Sequence, residues 1–298
     1  IPNQMFIDGE FVSAVSGATF DAISPIDQRV LAKVAAGDSH DVDKAVAAAK
    51  RTFENGVWRD LNPRDKKAIM LKWADLIREH YEEIALLETL EVGKPIGDTS
   101  GYDALAVARV IQWYGEAIDK RYDEIAPAPT NSLAMITREP LGVIGAIVPW
   151  NYPIVIASWK IGPALAMGNS MVLKPSEESS LAILKIAQLG IEAGIPKGVF
   201  NVVTGLGDQA GQALARHMDV AKIAFTGSGP VGKKMLQYAA ESNLKQVALE
   251  LGGKSPQVVL DDVVDLDKAA STIAWGIYYN SGQTCNAGSR VIVHESIK

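Results

Sequence analysis

The chain has 298 residues, 48% hydrophobic and 21% charged, which is beyond the size at which one core usually keeps growing, so two subregions are expected. A net charge of −6, with lysines interleaved among acids, offers no basic field for nucleic acid, and the one cysteine excludes an intrachain disulfide or a thiolate zinc cluster and fits a reducing, cytoplasmic setting. Residues 1–10 lack a signal core, no apolar run is long enough for a membrane span, and His40, His80, His217 and His294 have no metal-ligand spacing.

In chain order, Met5 to Val12 reads as two short strands about an Asp8-Gly9 turn, and Phe20 to Val34 continues in extended character as an edge meander. Ser39 is a cap for a helix carrying Val42, Val46, Ala49 and Phe53, and Asn62-Pro63 opens a second with Ile69, Trp73, Leu76, Ile77 and Tyr81 on one face. Leu86 to Val92, ending at Gly93-Lys94-Pro95, and Tyr102 to Ile118 supply two more. Pro127 and Pro129 break the pattern before Ser132 to Arg138 resumes as a strand, either an arm pairing with another subunit or an ordinary surface hairpin.

From Leu141 the pattern alternates: strands at Val143–Val148, Ser170–Leu173, Val199–Val203 and Ala221–Phe225, with helices at Ile154–Ala166, Leu181–Ala193, Gln209–His217 and Val231–Ala240. This βαβα rhythm predicts an α/β fold, an open twisted parallel sheet with helices on both faces. Gln246–Glu250 and Pro256–Leu260 add strands, and a helix over Ala269–Tyr279 leads to a glycine-flanked turn holding Cys285. The chain lacks an initial methionine and stops at Lys298 near the start of a strand, so a fragment is expected.

Ligands of such sheets bind beyond the carboxyl ends of the strands. Those ends are polar here: Trp150-Asn151-Tyr152, Lys174-Pro175-Ser176-Glu177, Thr204-Gly205-Leu206-Gly207 and Gly227-Ser228-Gly229-Pro230-Val231-Gly232. The last matches G-x-G-x-x-G at a helix start, with Ser228 suited to the cap. Alone it could be a steric turn; beside the other ends it favours a dinucleotide. The spacing assigns Glu250 to the ribose, with Glu177 as competitor. If Glu177 and Lys174 take the sugar, Glu250 is free for chemistry.

A lone thiol near pKa 8.5 needs a base. His294 faces solvent in this reading, whereas Glu250 on an apolar strand end would have a raised proton affinity and could activate water; the alternative is a glutamate paired with Lys254.

Pro149-Trp150-Asn151-Tyr152-Pro153, Lys174-Pro175-Ser176-Glu177, Phe225-Thr226-Gly227-Ser228, Leu249-Glu250-Leu251-Gly252-Gly253-Lys254 and Gly282-Gln283-Thr284-Cys285 occur in the order found in aldehyde dehydrogenases, and essentially the whole chain resembles the amino-terminal three-fifths of that NAD(P)-dependent superfamily. The resemblance implies an NAD-dependent oxidoreductase in which Cys285 attacks the aldehyde carbon, Asn151 and the Cys285 backbone N–H receive the oxyanion, and Glu250 activates water to hydrolyse the thioester. It implies cofactor contacts from Ile147, Trp150, Lys174, Glu177, Gly207, Phe225, Gly227, Ser228, Val231, Gly232 and Leu251. Glu177 would favour NAD over NADP by repelling a 2′-phosphate. It further implies a Rossmann-like NAD-binding domain over 1–120 and 143–251, an oligomerisation arm over 121–142, the start of a truncated catalytic domain over 252–298, and a cytoplasmic homodimer or homotetramer without membrane or nucleic-acid partners. The wording is nearest to γ-glutamylaminobutyraldehyde and ω-aminoaldehyde dehydrogenases, with Trp113, Tyr114, Tyr152 and Trp159 lining a substrate funnel or else filling the core. Gly229-Pro230 departs from the usual turn residues. The alternatives are a catalytically incompetent nucleotide-binding fragment and a cofactor-free thioesterase-like hydrolase.

Overall fold

The computed structural model describes residues 2–298. Strands β1 (Met5–Ile7) and β2 (Glu10–Val12) form the expected hairpin. The extended stretch after it does not continue that hairpin: β3 (Thr19–Ile23) and β4 (Val30–Ala35) pair with each other in a separate two-stranded sheet. The difference follows from burial, since every residue of β1 is buried whereas β3 buries only Ala22.

Helices α1 (Ser39–Glu54), α2 (Pro63–Glu79), α3 (Tyr81–Val92), α4 (Ile96–Asp98) and α5 (Ala104–Ala117) follow. Asp38, not Ser39, caps α1: its carboxylate accepts from the His40 N–H while Asp41 accepts from the Asp38 N–H. This reciprocal box uses two carboxylates, and Ser39 lies one residue too late to make it. Asn62 and Pro63 do open α2. A π-helical turn, Thr99–Asp103, leads into α5. Next, β5 (Glu124–Ala126) and β6 (Ala134–Ile136) pair as a hairpin on which Ile125, Met135 and Ile136 are exposed.

The alternating segment comprises β7 (Val143–Ile147), α6 (Pro153–Ala166), β8 (Ser170–Lys174), α7 (Leu181–Ala193), β9 (Phe200–Val202), α8 (Gln212–Arg216), β10 (Val220–Gly227), α9 (Gly229–Ala240) and β11 (Gln246–Leu251). The sheet runs β11-β10-β7-β8-β9-β1-β2, with the first five strands parallel and the β1–β2 hairpin added antiparallel at the edge. Successive residues of a strand point to opposite faces, and both faces are covered. Ile144, Ala146, Met171 and Leu173 enter the core packed by α2, α3, α5, α6 and α7; Val143, Ile147 and Val172 enter the one beneath α1, α8 and α9. Two indoles secure the first core, Trp73 Nε1 donating to the Ile186 carbonyl (3.0 Å) and Trp58 Nε1 to that of Leu165 (2.8 Å).

Packing changes after β11. Strand β12 (Pro256–Val259) does not extend the main sheet as the alternation suggests but pairs in parallel with β13 (Arg290–Val293), with α10 (Leu266–Tyr278) between them in sequence. No residue of α10 or β13 is buried. Among the described residues, no helix is long and apolar enough to cross a membrane.

Candidate functional site

Two clefts open at the carboxyl ends of the parallel strands. The first, about 440 Å³, is lined by the last residues of β7, β8 and β10 and by the loops and helices after β7–β10, among them Ile147, Trp150, Lys174, Glu177, Gly207, Phe225, Gly227, Ser228 and Val231. Lys174 Nζ is buried and bonds Glu177 Oε2 at 2.9 Å. Burial pushes the Lys174 ammonium below its usual proton affinity, with Glu177 opposing. Burial also pushes the Glu177 carboxyl up, but Lys174 and its own backbone N–H outweigh this and hold it below the ordinary carboxylate range.

Ser228 sits at the cap position of α9, yet its side chain makes no capping bond, and the Gly229 and Val231 N–H groups of the first turn have no protein acceptor among the described residues. Thr226 Oγ1, also in the cleft wall, is buried without a hydrogen-bond partner. Gly232 and Leu251 do not line the cleft: a Cβ on Gly232 would stand 2.8 Å from Leu251 Cδ2, so this glycine serves the close packing of α9 on β11. That is the steric role of the third glycine rather than a ligand contact.

The second cleft, about 550 Å³, contains Cys285 and an aromatic wall of Tyr102, Tyr152, Trp159, Trp275 and Tyr279. Trp159 and Tyr152 are there as expected, but Trp113 and Tyr114 are not; their rings meet edge to face (4.8 Å), and Tyr114 packs against Gly162. Helix α5 turns that face away from the thiol, while the π-helical turn before it brings Tyr102 into the wall.

Cys285 is exposed on a loop whose approach is left-handed at three consecutive residues, Asn280 (φ 51°), Ser281 (φ 54°) and Gly282 (φ 76°). Only glycine adopts this conformation freely, so Asn280 and Ser281 cost about 1–2 kcal/mol each, and the surroundings must hold them. They do. Asn280 is 3% exposed, and its Nδ2 donates to the carbonyls of Asn151 (3.0 Å) and Gln283 (3.2 Å). Asn151 Nδ2 donates in turn to the Gln283 carbonyl (2.9 Å), and the Tyr152 hydroxyl bonds Thr284 Oγ1 (3.1 Å). From the other side the Gly253 N–H donates to the Cys285 carbonyl (3.1 Å). The Cys285 N–H has no protein acceptor among the described residues. Asn280 is the positioning residue that sequence reading missed; the only signal was an asparagine, which tolerates left-handed backbone, directly before the glycine.

Glu250, the penultimate residue of β11, pairs with Thr226 and is exposed, so the apolar surroundings expected for it are absent. Its cationic neighbour is Lys160 of α6: burial pushes that ammonium down and Glu250 opposes the shift. His294 is exposed and bonds Ser296, away from the thiol. The two clefts meet at one tripeptide, since Trp150 lines the first, Tyr152 the second, and Asn151 between them bonds the cysteine loop.

The family model of aldehyde dehydrogenases matches residues 11–298. The NADP/NAD-dependent aldehyde dehydrogenase PuuC of Escherichia coli (strain K12) is 53% identical over 297 residues, 100% of this chain and 60% of that protein. Aminoacetaldehyde dehydrogenase of Pseudomonas aeruginosa is 49% identical over 298 residues, again 100% and 60%. Among solved structures, γ-glutamyl-γ-aminobutyraldehyde dehydrogenase from Burkholderia cenocepacia J2315 superposes with a TM-score of 0.98 at 58% identity, covering 100% of this chain and 60% of its own. Indole-3-acetaldehyde dehydrogenase AldA of P. syringae, solved with NAD+ and IAA, gives 0.98 at 53%, covering 99% and 60%. The chain thus spans about 60% of the length of the curated relatives it matches.

Proposed function

The chain belongs to the aldehyde dehydrogenase family, and from that premise we propose that its protein oxidises an aldehyde to a carboxylic acid with NAD, using Cys285 as nucleophile. The observation that carries this reading is the shared tripeptide: one turn, Trp150-Asn151-Tyr152, forms a wall of both clefts and holds the loop of the only cysteine.

The first cleft fits a dinucleotide. Its uncapped α9 amides and the orphaned Thr226 hydroxyl offer hydrogen bonds that the protein does not use, and the Lys174–Glu177 pair offers a donor and an acceptor to a ribose. Trp150, Gly207, Gly227, Ser228 and Val231 would border the pyrophosphate, with Ile147 and Phe225 at the cleft floor, and Gly232 and Leu251 supporting from behind. A negative Glu177 would disfavour a 2′-phosphate. When bound, NAD supplies the acceptor for the hydride that leaves the aldehyde carbon.

The remaining steps belong to the chain. Glu250, exposed to solvent, takes the Cys285 thiol proton through water and passes it on to solvent; Cys285 Sγ then bonds to the aldehyde carbon as the C=O π pair moves to the oxygen, giving a thiohemiacetal anion. The Asn151 amide has two N–H groups; one is committed to Gln283, so the other, with the unused Cys285 N–H, is available to that oxyanion. Loss of hydride leaves a thioester on Cys285. Glu250, at the solvent edge, takes a proton from water, whose oxygen bonds to the acyl carbon as the C–S bond breaks and the thiolate returns. Lys160 is the cationic neighbour of Glu250.

In this reading 1–120 and 143–251 are the NAD-binding domain, 121–142 with its exposed hairpin an oligomerisation arm, and 252–298 belong to a catalytic domain of a cytoplasmic homodimer or homotetramer. A monomer in sedimentation would contradict the arm. The aromatic wall suits an ω-aminoaldehyde, whose ammonium would lie against ring faces. The test is NADH formation by the full-length protein with ω-aminoaldehydes and uncharged aldehydes of equal length. Preference for the amines supports the substrate, preference for uncharged chains refutes it, and no NADH with any aldehyde refutes the reaction.

A further inference from the structure

A cluster of fully buried ionisable side chains lies behind the aromatic wall. Lys94, in the turn after α3, has no exposed side-chain surface; its Nζ bonds Asp103 Oδ2 and lies 4.0 Å from Glu88 Oε1. Both carboxylate side chains are also fully buried, and Glu88 Oε1, Glu88 Oε2 and Asp103 Oδ1 accept no hydrogen bond among the described residues. Such a triad is not an economical way to stabilise a core, because apolar residues of equal volume usually do as well or better. Burial drives the Glu88 carboxyl well above its ordinary range, further raised by Asp103 and opposed by Lys94.

What the triad touches suggests its use. Lys94 Nζ sits 3.7 Å from the centroid of the Tyr152 ring, close contact for a cation on a π face. The far end of Tyr152 bonds Thr284, the neighbour of Cys285. On the other side, Asp103 closes the π-helical turn Thr99–Asp103, and the residue before it, Tyr102, lines the cysteine cleft. One buried ammonium therefore anchors two parts of the wall and, through one hydroxyl, the cysteine loop.

We propose that Lys94, held by Asp103 and Glu88, is a positioning residue: it seats the Tyr152 ring so that the Tyr152 hydroxyl fixes Thr284 and, with it, the loop carrying Cys285. The consequence for catalysis rests on the reading of Cys285 as nucleophile, but the positioning itself does not, so it is measured without substrate.

The experiment is amide hydrogen exchange on the full-length protein without ligand, following residues 280–287 against strands β7, β8 and β10. The charges are removed together, as Glu88→Met, Lys94→Met and Asp103→Leu, because Lys94→Met alone leaves buried carboxylates unpaired and can fail to fold. Expected is exchange about tenfold faster at 280–287 with the strands unchanged, since a local tether is lost rather than global stability. Tyr152→Phe, which keeps the ring and removes the hydroxyl, should loosen the same residues, and the triad substitution should add little in that background. Unchanged exchange at 280–287, a uniform rise across the strands, or fully additive effects of the triad and Tyr152→Phe would each overturn the proposal. Failure of wild-type NADH formation would refute the function and leave this result standing.

Discussion

The sheet body up to Leu251 and the segment from Gly252 onward meet at Cys285, but they are held together by different means. In the body, strands β7, β8 and β9 are buried at every residue and helices cover both faces. In the segment, α10 has no buried residue and Trp275 is 66% exposed. Yet the cysteine loop within that segment is tied to the body, by hydrogen bonds to Asn151 and Tyr152. The difference teaches that the thiol's position is set mainly by the sheet turn after β7 rather than by the elements that flank it in sequence.

Substitutions should separate the two regions. The largest effect is on stability: Trp73→Ala, removing a fully buried indole and its hydrogen bond to the Ile186 carbonyl, should cost about 3–5 kcal/mol in denaturant unfolding, whereas Trp275→Ala should cost within about 0.5 kcal/mol. Equal losses would erase the contrast. Next, Asn151→Ala should lower kcat on the order of 10²–10³ with NAD affinity kept, because it removes a loop tether and, in the proposed mechanism, an oxyanion donor, while the first cleft stays intact. Parallel loss of NAD binding in a titration would show that the two clefts are not separable at this turn.

A third effect reads the body through pH. Glu91 is fully buried and accepts from the Leu181 and Ala182 N–H groups at the start of α7; burial pushes its carboxyl from 4.5 up to about 7 against those bonds. Between these values the folded chain keeps a proton that the unfolded chain releases. Its stabilisation is therefore complete below 4.5 and is lost as pH rises through 7, a swing of about 3 kcal/mol. Melting curves of the wild type relative to Glu91→Gln should converge downward over that window and then run parallel; a constant difference would contradict the assignment. The smallest effect is Glu177→Gln, which should relax discrimination against NADP by about tenfold, measured as the ratio of dissociation constants.

Much of the body was legible in the sequence because its strands are uninterrupted apolar runs between amphipathic helices, and α7 falls at Leu181–Ala193 as periodicity predicts. Less legible were features set by partners distant in sequence. The cap at Asp38 depends on Asp41 as well as on position, the split of β3–β4 from β1 depends on which neighbour buries each strand, and β12 reads as a sheet strand until its partner β13 is known. In the site, the motifs mark Asn151, Lys174, Glu177 and Cys285, since each sits at a strand end or a glycine turn. Asn280, Lys160 and Lys94 leave no such mark. Their surroundings are set by residues 129, 90 and 58 positions away, and in Lys94 the signal is an ordinary lysine after a helix. Glu250 was assigned by adjacency to an apolar strand, which says nothing about whether that strand lies at the exposed edge of the sheet, as β11 does.

The central claim is that the body builds the cofactor cleft and presents Cys285 to it as a separable nucleophile. It is tested most directly by Cys285→Ala in the full-length protein, with NAD titration and aldehyde-dependent NADH absorbance measured on the same preparation. The account predicts wild-type NAD affinity and NADH formation reduced by about four orders of magnitude or more. NADH formation that survives the substitution undiminished would contradict it.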